Sequence, residues 1–216
     1  TLLGTTTIQV STADFQQSTD GNGFVLMEAE QFSANTAQGQ HRWDGITDGD
    51  ASDGAAMQAT PDLDVNNNSN FVTASPRLDY TINFTETGTH YVWVLGQAAG
   101  SATGTSDSVH VGLDGAAVNT ADRISNFNRD YRWSNGTMDS ARATLTIDAP
   151  GTHTLNLWMR EDGFVADAIL LTTDPNFDPN RDPLPDVPAP TPDTLAPTAS
   201  LQASDLVLPE GSAQPY

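Results

Sequence analysis

The chain has 216 residues, with eight Lys and Arg against 28 Asp and Glu, and a formal net charge of −20 at pH 7. All eight basic residues are Arg. Nucleic acids and anionic membrane surfaces both require a basic contact area, so this balance excludes them as expected partners. The chain contains no Cys, which excludes disulfides and thiol chemistry. No segment approaches the roughly 20 apolar residues of a membrane-spanning helix.

An acidic surface rich in Asp is typical of proteins that stay soluble at high ionic strength. We therefore expect a secreted, extracellular bacterial protein from a marine setting, and we expect it to be a monomer. The chain opens at Thr1 without a cationic segment followed by an apolar one, which predicts that it was excised from a longer polypeptide.

The predicted elements are short strands bounded by Gly, Asn, Asp and Pro. The first predicted strand of the main domain is an apolar run that ends at Glu28 and Glu30. Residues 76–84 then alternate strictly between apolar and polar side chains, which predicts a strand with one buried face made of Leu78, Tyr80, Ile82 and Phe84.

The next predicted strand, residues 89–97, is apolar on both faces and therefore central in its sheet. Four further strands follow, bounded by turns, over residues 107–113, 143–147, 152–159 and 165–172. Short strands at this spacing predict an all-β fold, a β-sandwich (jelly roll) of two antiparallel sheets.

The composition also predicts the domain organisation. Residues 24–178 form the sandwich, and residues 1–23, with one strand over 6–10, are an N-terminal segment or the end of a preceding region. Residues 179–198 are a Pro-rich linker, and residues 199–216 resemble the start of a further, truncated β module.

A candidate calcium site lies where the first and last strands are expected to pair. Pairing would bring Glu28 or Glu30 close to Asp167, and Glu28 and Glu30 share one strand face. Ca²⁺ prefers six to eight oxygen ligands, and the loop over residues 48–54, which contains Asp53, offers more of them. The alternative is that one Glu is solvated, the other pairs with an Arg, and the loop is only a turn.

Aromatic and planar polar residues in loops indicate a sugar site. Trp133 is the main candidate for stacking, with Tyr131, Arg132 and Asn135 beside it. The alternative for Trp133 is a role in the core, and Trp93 and Trp158 lie in apolar strands that place them there.

Two further groups are predicted to contribute to this site. Trp43, preceded by Arg42, would form a second wall, unless it packs beneath a long loop. Arg160, Glu161 and Asp162 follow a strand at the same rim and would bind sugar hydroxyls, or else form an Arg–carboxylate pair that rigidifies the turn.

Several motifs together resemble carbohydrate-binding modules of families 6 and 35 and their malectin-like relatives, over roughly residues 24–178. Their order and spacing carry the resemblance, in residues 28–30, 52–57, 88–94, 107–111 and 167–171. The resemblance implies a structural calcium held by Glu28, Glu30 and Asp167, with a carbonyl from around Asp53. In these families an Asn two residues before the last-strand Asp contacts the sugar, whereas this chain has Val165 there.

These observations predict a non-catalytic module that binds a polysaccharide and targets an attached catalytic domain to it. The charge favours neutral or lightly charged polymers, such as a marine galactan like agarose, or xylan, unless Arg residues cluster or calcium bridges an acidic one. One alternative is a calcium-stabilised structural or adhesive module, which would bury all four Trp. A less favoured alternative is a β-fold polysaccharide lyase or glycoside hydrolase.

Overall fold

A computed structural model of the protein describes residues 13–100, 105–186 and 191–192, which form two seven-stranded sheets. Sheet A contains β1 (Ala13–Gln16), β3 (Ala34–Thr36), β6 (Arg77–Phe84), β8 (Val109–Leu113), β9 (Ala116–Ala117), β12 (Gly151–Met159) and β14 (Thr191–Pro192). Sheet B contains β2 (Val25–Glu28), β4 (Arg42–Thr47), β5 (Ala55–Thr60), β7 (Gly88–Ala98), β10 (Arg132–Ser134), β11 (Thr144–Ile147) and β13 (Phe164–Thr172). The helical elements are a 3₁₀ turn, Ser52–Gly54, and the short helix α1, Phe71–Ala74.

The predicted all-β sandwich is confirmed. Sheet A has the order β14-β1-β6-β12-β8-β9 with β3 also on β6, and sheet B has the order β10-β7-β13-β5-β4 with β11 on β7 and β2 on β13. The pairs are antiparallel except β1–β6, which is parallel. Among the described residues, no helix is long and apolar enough to cross a membrane.

The main core lies between the two sheets, and β6 shows why the strict alternation predicted it. Leu78, Tyr80, Ile82 and Phe84 are all buried in this core, as expected for one face of a strand with period two. Burying an apolar side chain of this size contributes about 1.5–3 kcal/mol. Phe15 of β1 belongs to the same core.

A second apolar cluster covers the outer face of sheet B. Trp93, Trp133, Leu170 and Phe177 are buried there, together with Phe24 and Ala168. Trp133 lies opposite Leu95 on β7, and Leu170 lies opposite Trp93, so the cluster crosses three adjacent strands. Residues 174–182, which we call the strap, fold back over this cluster, and the Phe177 ring lies 4.8 Å from that of Phe24.

The loops divide between the two ends of the sandwich. The turns after β6 and β11 lie at one end, and the segments around residues 61–76, 98–100, 105–108 and 160–163 lie at the other, as the strand pairings require. The sequence did not predict the β4–β5 hairpin, which forms one edge of sheet B. The predicted strand over 6–10, the truncated module over 199–216 and half of the linker lie outside the described residues.

Candidate functional site on the outer face of sheet B

The first and last strands of the main domain meet as predicted. β2 pairs with β13, Glu28 lies opposite Ala168, and the backbone N–H of Ala29 donates to the carbonyl of Asp167 at 2.7 Å. Strand β13 has an irregularity in its register with β7 between Ala166 and Ala168, at Asp167. We call the group formed by Glu28, Glu30, Ser52, Asp53 and Asp167 the acidic junction.

Ser52 bridges the two strands through its hydroxyl. Its Oγ lies 2.6 Å from Glu28 Oε2 and 2.8 Å from Asp167 Oδ1, and its N–H donates to Asp167 Oδ2 at 3.0 Å. A hydroxyl carries one hydrogen, so it cannot donate to two ionised carboxylates at once. The junction therefore requires either a proton on one carboxyl group or a cation nearby.

The pKa values of the acidic junction also indicate that a proton or a cation is needed there. Burial, followed by the neighbouring carboxylates, raises the pKa of Glu30 to about 7. Burial also raises the pKa values of Glu28 and Asp167. Glu30 Oε2 is buried and has no hydrogen-bond partner within the described ranges. A buried carboxylate oxygen without a partner is costly unless a proton or a cation compensates it.

The chemistry of this group fits a hard cation, because its side chains offer only oxygen ligands. Asp53 lies next to Ser52 with a positive φ of 52°, and its side chain is exposed. Within the residues that the structure describes, however, no three acidic or histidine side chains are already gathered tightly enough to hold a metal ion. Binding would therefore require these carboxylates to move closer together.

A cleft of about 370 Å³, which we call the polar cleft, adjoins the acidic junction and is lined by Asp50, Gln97, Arg129, Asp130 and Tyr131. Tyr131 is half-buried and is the aromatic wall of the cleft. Its neighbours are planar amide, carboxylate and guanidinium groups, the types that bind sugar hydroxyls.

Asp48 fixes the position of two walls of the polar cleft. Its Oδ2 accepts hydrogen bonds from the Tyr131 hydroxyl at 3.0 Å and from Gln97 Nε2 at 3.1 Å. Burial and this contact raise the pKa of Tyr131, while the N–H of Asp50 and the Tyr131 hydroxyl lower the pKa of Asp48. The loop over residues 48–54 thus contributes to the polar cleft at its start and to the acidic junction at Ser52.

The structure contradicts the prediction that Trp43 forms a wall of the sugar site. Trp43 is 2% exposed, lies in the main core, and its Nε1 donates to the carbonyl of Pro76 at 3.3 Å. Arg42 is exposed and pairs with Asp44 at 2.8 Å, and neither residue lines the polar cleft. The alternating strand places Trp43 inward because Arg42 and Asp44 occupy the other face.

The prediction that Trp133 is an exposed stacking platform is also wrong. It is 7% exposed and packs in the outer cluster, where Asn180 of the strap donates to its carbonyl at 3.2 Å. With Trp93 at 7% and Trp158 at 0%, all four Trp are buried. Arg132 is exposed on the strand face opposite Trp133, and Asn135 lines a second cleft described below.

The predicted sugar contacts of Arg160, Glu161 and Asp162 are wrong, because all three side chains are buried and already bonded within the protein. Arg160 pairs with Glu161 at 2.8 Å. Asp162 accepts from the N–H groups of Leu63 at 2.8 Å and Val65 at 2.9 Å. The Arg–carboxylate pair of the alternative interpretation is present, and Asp162 links the turn to the long segment between β5 and β6.

Comparisons with known proteins identify the family. The model of the glycosyl hydrolase family 115 C-terminal domain matches residues 18–176. The chain belongs to this family. An uncharacterised protein, P23, of Formosa agariphila is 28% identical over 198 residues, which cover 73% of this chain and 46% of that protein. The chain thus spans about half the length of the curated relative it matches.

Solved structures similar to this family 115 C-terminal domain include modules of the two families that the sequence resembles. A family 35 carbohydrate-binding module from Clostridium thermocellum is 17% identical, with a TM-score of 0.46, covering 68% of this chain and 98% of its own. The C-terminal family 6 module of a marine laminarinase from Zobellia galactanivorans is 14% identical, with a TM-score of 0.40, covering 69% and 99%. The sequence motifs indicated families 6 and 35 and their malectin-like relatives, and did not indicate family 115.

Sequence reasoning missed most of the polar cleft. Asp50, Gln97, Arg129 and Asp130 come from three separate segments of this domain and share no motif. One signal was available: Gln97 is a polar side chain near the end of an otherwise apolar strand, and it follows Trp93 and Leu95 on the same face.

Proposed function

We propose that this domain is a non-catalytic polysaccharide-binding module and that the polar cleft is its sugar site. The observation that carries the proposal is the cleft itself, in which the half-buried Tyr131 stands beside Gln97, Arg129 and two carboxylates. Sugar sites combine an aromatic face for the C–H groups of the ring with planar polar groups for the hydroxyls. Membership in a family of glycosyl hydrolase C-terminal domains is compatible with such an accessory role.

The charges around the cleft favour a neutral or lightly charged ligand. Asp50 and Asp130 line it, Asp48 lies directly behind Tyr131, and Arg129 is its one lining cation among the described residues. A uronate or sulfate group would be repelled there, whereas hydroxyl groups would find both donors and acceptors. We therefore propose a galactan such as agarose, or xylan, as the ligand.

The module would act by raising the local concentration of an attached catalytic domain at its substrate. We propose a monomer within a larger polypeptide that is secreted by a bacterium, from a marine environment in keeping with the acidic composition. None of the four histidines lines the polar cleft, and each contacts another group of the protein: His41 with Asp162, His90 with Gln17, His110 with Asn67 and His153 with Asp114.

We also propose that Ca²⁺ binds the acidic junction through Glu28, Glu30, Asp53 and Asp167. The support is the partnerless Glu30 Oε2 and the single Ser52 hydroxyl between two carboxylates. A bound ion would neutralise repulsion between carboxylates on two strands and so tie β2 to β13. Its role would be structural.

A second candidate function is supported by the burial of all four Trp, which is the arrangement expected of a structural or adhesive module. Such a module would show the same response to calcium and no affinity for glycans. Among the described residues, no observation specifically favours a polysaccharide lyase or a glycoside hydrolase.

Affinity electrophoresis distinguishes these functions. The protein would be run through native gels that each contain agarose, xylan, laminarin, alginate, carrageenan or galactomannan, beside a gel without polymer. Retardation by agarose or xylan is the expected result. Equal mobility in every gel would reject the glycan-binding proposal and favour the structural module.

A further inference from the structure

The strap forms a second cleft with the outer face of sheet B, and we call it the strap cleft. Its volume is about 310 Å³, and it is lined on the sheet side by Trp93, Asn135 and Arg142 and on the strap side by Phe177, Asp178 and Arg181. It lies on the same face as the polar cleft, because Trp93 precedes Gln97 on β7 by four residues, about 13 Å along a strand.

Two side chains of the strap cleft have buried donors that nothing satisfies. Trp93 is only 7% exposed, and its Nε1 has no hydrogen-bond partner within the described ranges. The Nδ2 atom of Asn135 is also buried and also has no hydrogen-bond partner within these ranges. A buried donor that is left unpaired destabilises the protein. An acceptor from outside the protein would recover this free energy.

The strap cleft also collects positive charge in a chain that has little of it. Two of the eight basic residues, Arg142 and Arg181, line it. The Arg142 guanidinium lies 4.2 Å from the Tyr91 ring centroid and donates from Nη1 to the carbonyl of Pro175 at 2.6 Å, which holds it at the rim. A guanidinium has five N–H donors and no acceptor, so most of its donors stay available.

The side-chain acceptors that line the cleft are the Asp178 carboxylate and the amide oxygens of Asn135 and Asn176, fewer than the N–H donors of the two guanidiniums and the two unpaired groups. Asp178 is the lining carboxylate, and its Oδ1 already accepts from the N–H and Nδ2 of Asn180 at 3.0 and 3.1 Å. Arg181 pairs with Asp182 through Nε at 3.0 Å and Nη2 at 2.7 Å, and its Nη2 also donates to the carbonyl of Asn176 at 2.9 Å. Arg142 is therefore the lining guanidinium with more unused donors. Donors in excess of acceptors are complementary to a group that only accepts, and oxyanions are such groups.

We infer that the strap cleft is a second binding site, which takes the oxyanion of an acidic sugar residue, a carboxylate or a sulfate. Trp93 and Asn135 donate from the sheet, Arg142 supplies charge, and the Phe177 ring closes the cleft from the strap. That the oxyanion belongs to a sugar rests on the proposed function, whereas the oxyanion site stands on the donors alone.

The site differs from the polar cleft in charge and therefore in ligand. Two carboxylates and one guanidinium line the polar cleft, whereas two guanidiniums and one carboxylate line the strap cleft. The unpaired donors are shielded from solvent, so the ligand oxygen reaches them only when the strap moves outward. Hydrogen bonds from Arg142 to Pro175 and from Asn180 to Trp133 hold the strap in place.

Titration with small acidic sugars tests the inference. Binding of galacturonate, galactose 6-sulfate and neutral galactose would be followed by isothermal calorimetry and tryptophan fluorescence, at constant ionic strength. We expect saturable binding of at least one acid, which also decides between carboxylate and sulfate, and at least tenfold weaker binding of galactose. No saturable binding of either acid, or equal binding of galactose, would overturn the inference.

Variants locate the site. Arg142→Gln should weaken binding of the acid about tenfold, and Trp93→Phe, which keeps the ring but removes the N–H, about fivefold. Arg123→Gln is the matched control, since Arg123 pairs with Asp139 outside the cleft. Equal affinities of Arg142→Gln and Arg123→Gln would overturn the assignment. Tyr131→Ala should leave binding of the acid unchanged, so failure of the polar cleft as a sugar site would be recognised separately.

Discussion

The Tyr131 hydroxyl donates a hydrogen bond to Oδ2 of Asp48 at 3.0 Å, and this contact joins the polar cleft to the acidic junction. Asp48 begins the loop that carries Ser52 and Asp53 to the junction. A change that loosens this loop would therefore disturb the aromatic wall of the cleft. The proposed calcium and the proposed sugar would be coupled through a single loop.

Asp167→Asn should remove the response of the domain to calcium. Because a ligand at 100 times its dissociation constant stabilises by about 2.7 kcal/mol, and each kcal/mol shifts Tm by about 2–4 °C in a domain of this size, calcium should raise the wild-type Tm by about 5–10 °C. Differential scanning calorimetry with CaCl₂ and with EDTA would measure the shift. Asp139→Asn is the control, and a calcium-dependent shift in Asp167→Asn equal to that of the control would contradict the ligand assignment.

Trp43→Ala should destabilise the domain strongly, because Trp43 is buried in the main core. Replacing a buried Trp by Ala costs about 3–5 kcal/mol through lost burial and the cavity that remains. Trp133→Ala should also lower stability, since its ring packs beneath the strap. Urea denaturation would measure both changes, and unchanged midpoints would mean that these rings are exposed.

The segment between β5 and β6 should be released by Asp162→Ala. The Asp162 carboxylate accepts from the N–H groups of Leu63 and Val65 and contacts His41 Nε2 at 3.0 Å. Each backbone donor left unpaired costs about 1–3 kcal/mol, or is satisfied by water when the segment opens. Amide hydrogen exchange should therefore accelerate over residues 61–76, and protection equal to that of the wild type would contradict the anchoring role.

His110 should make the domain less stable at acid pH. It is fully buried, its Nε2 donates to the carbonyl of Asn67 at 2.9 Å, and its Nδ1 accepts from the N–H of Arg123 at 3.1 Å. Burial, with the charges of Arg160 and Arg123, lowers the pKa of His110 from 6.5 to about 4. The unfolded chain therefore binds more protons than the folded one between these values, and the free energy of unfolding falls as the pH falls through this window, by up to about 3 kcal/mol.

His153 provides a control, because its pKa is shifted in the opposite direction to that of His110. Its hydrogen bond with Asp114 raises the pKa of His153, so its contribution to stability is present below its unfolded pKa and is lost as the pH rises through the folded value. Urea titrations of His110→Gln and His153→Gln over pH 4–8 should change the pH dependence of stability in opposite directions. The same change in both variants would contradict the assignment for His110.

The strands were predictable where a single face of a strand is buried. The period-two pattern of residues 76–84 indicated β6 and its buried face, because burial of one face imposes that alternation. The meeting of Glu28 with Asp167 was also predictable, since it needed only the pairing of two strands. The β4–β5 hairpin was missed because the exposed Arg42 and the half-buried Asp44 make the surroundings of Trp43 polar, although the strand turns that ring inward.

The candidate site was less predictable because it depends on which segments the fold brings together. Tyr131 was predicted only as a neighbour of Trp133 in a polar segment, and its contacts with Asp48 and Gln97 join segments far apart in the sequence. The burial of Trp133 depends on the strap, whose last residues, 179–182, fall in the predicted Pro-rich linker. No local pattern could show that this segment folds back over sheet B.

The affinity of Tyr131→Ala for the retarding polysaccharide, compared with that of the wild type, tests the central claim most directly. Affinity electrophoresis over a range of polymer concentrations would give both dissociation constants, with Tyr131→Phe retaining the ring and Arg42→Gln as an exposed control outside the cleft. We expect at least a tenfold loss for Tyr131→Ala, about 1.4 kcal/mol, and near wild-type binding for Arg42→Gln. A folded Tyr131→Ala variant that binds the polymer as tightly as the wild type would contradict the claim that the polar cleft is the sugar site.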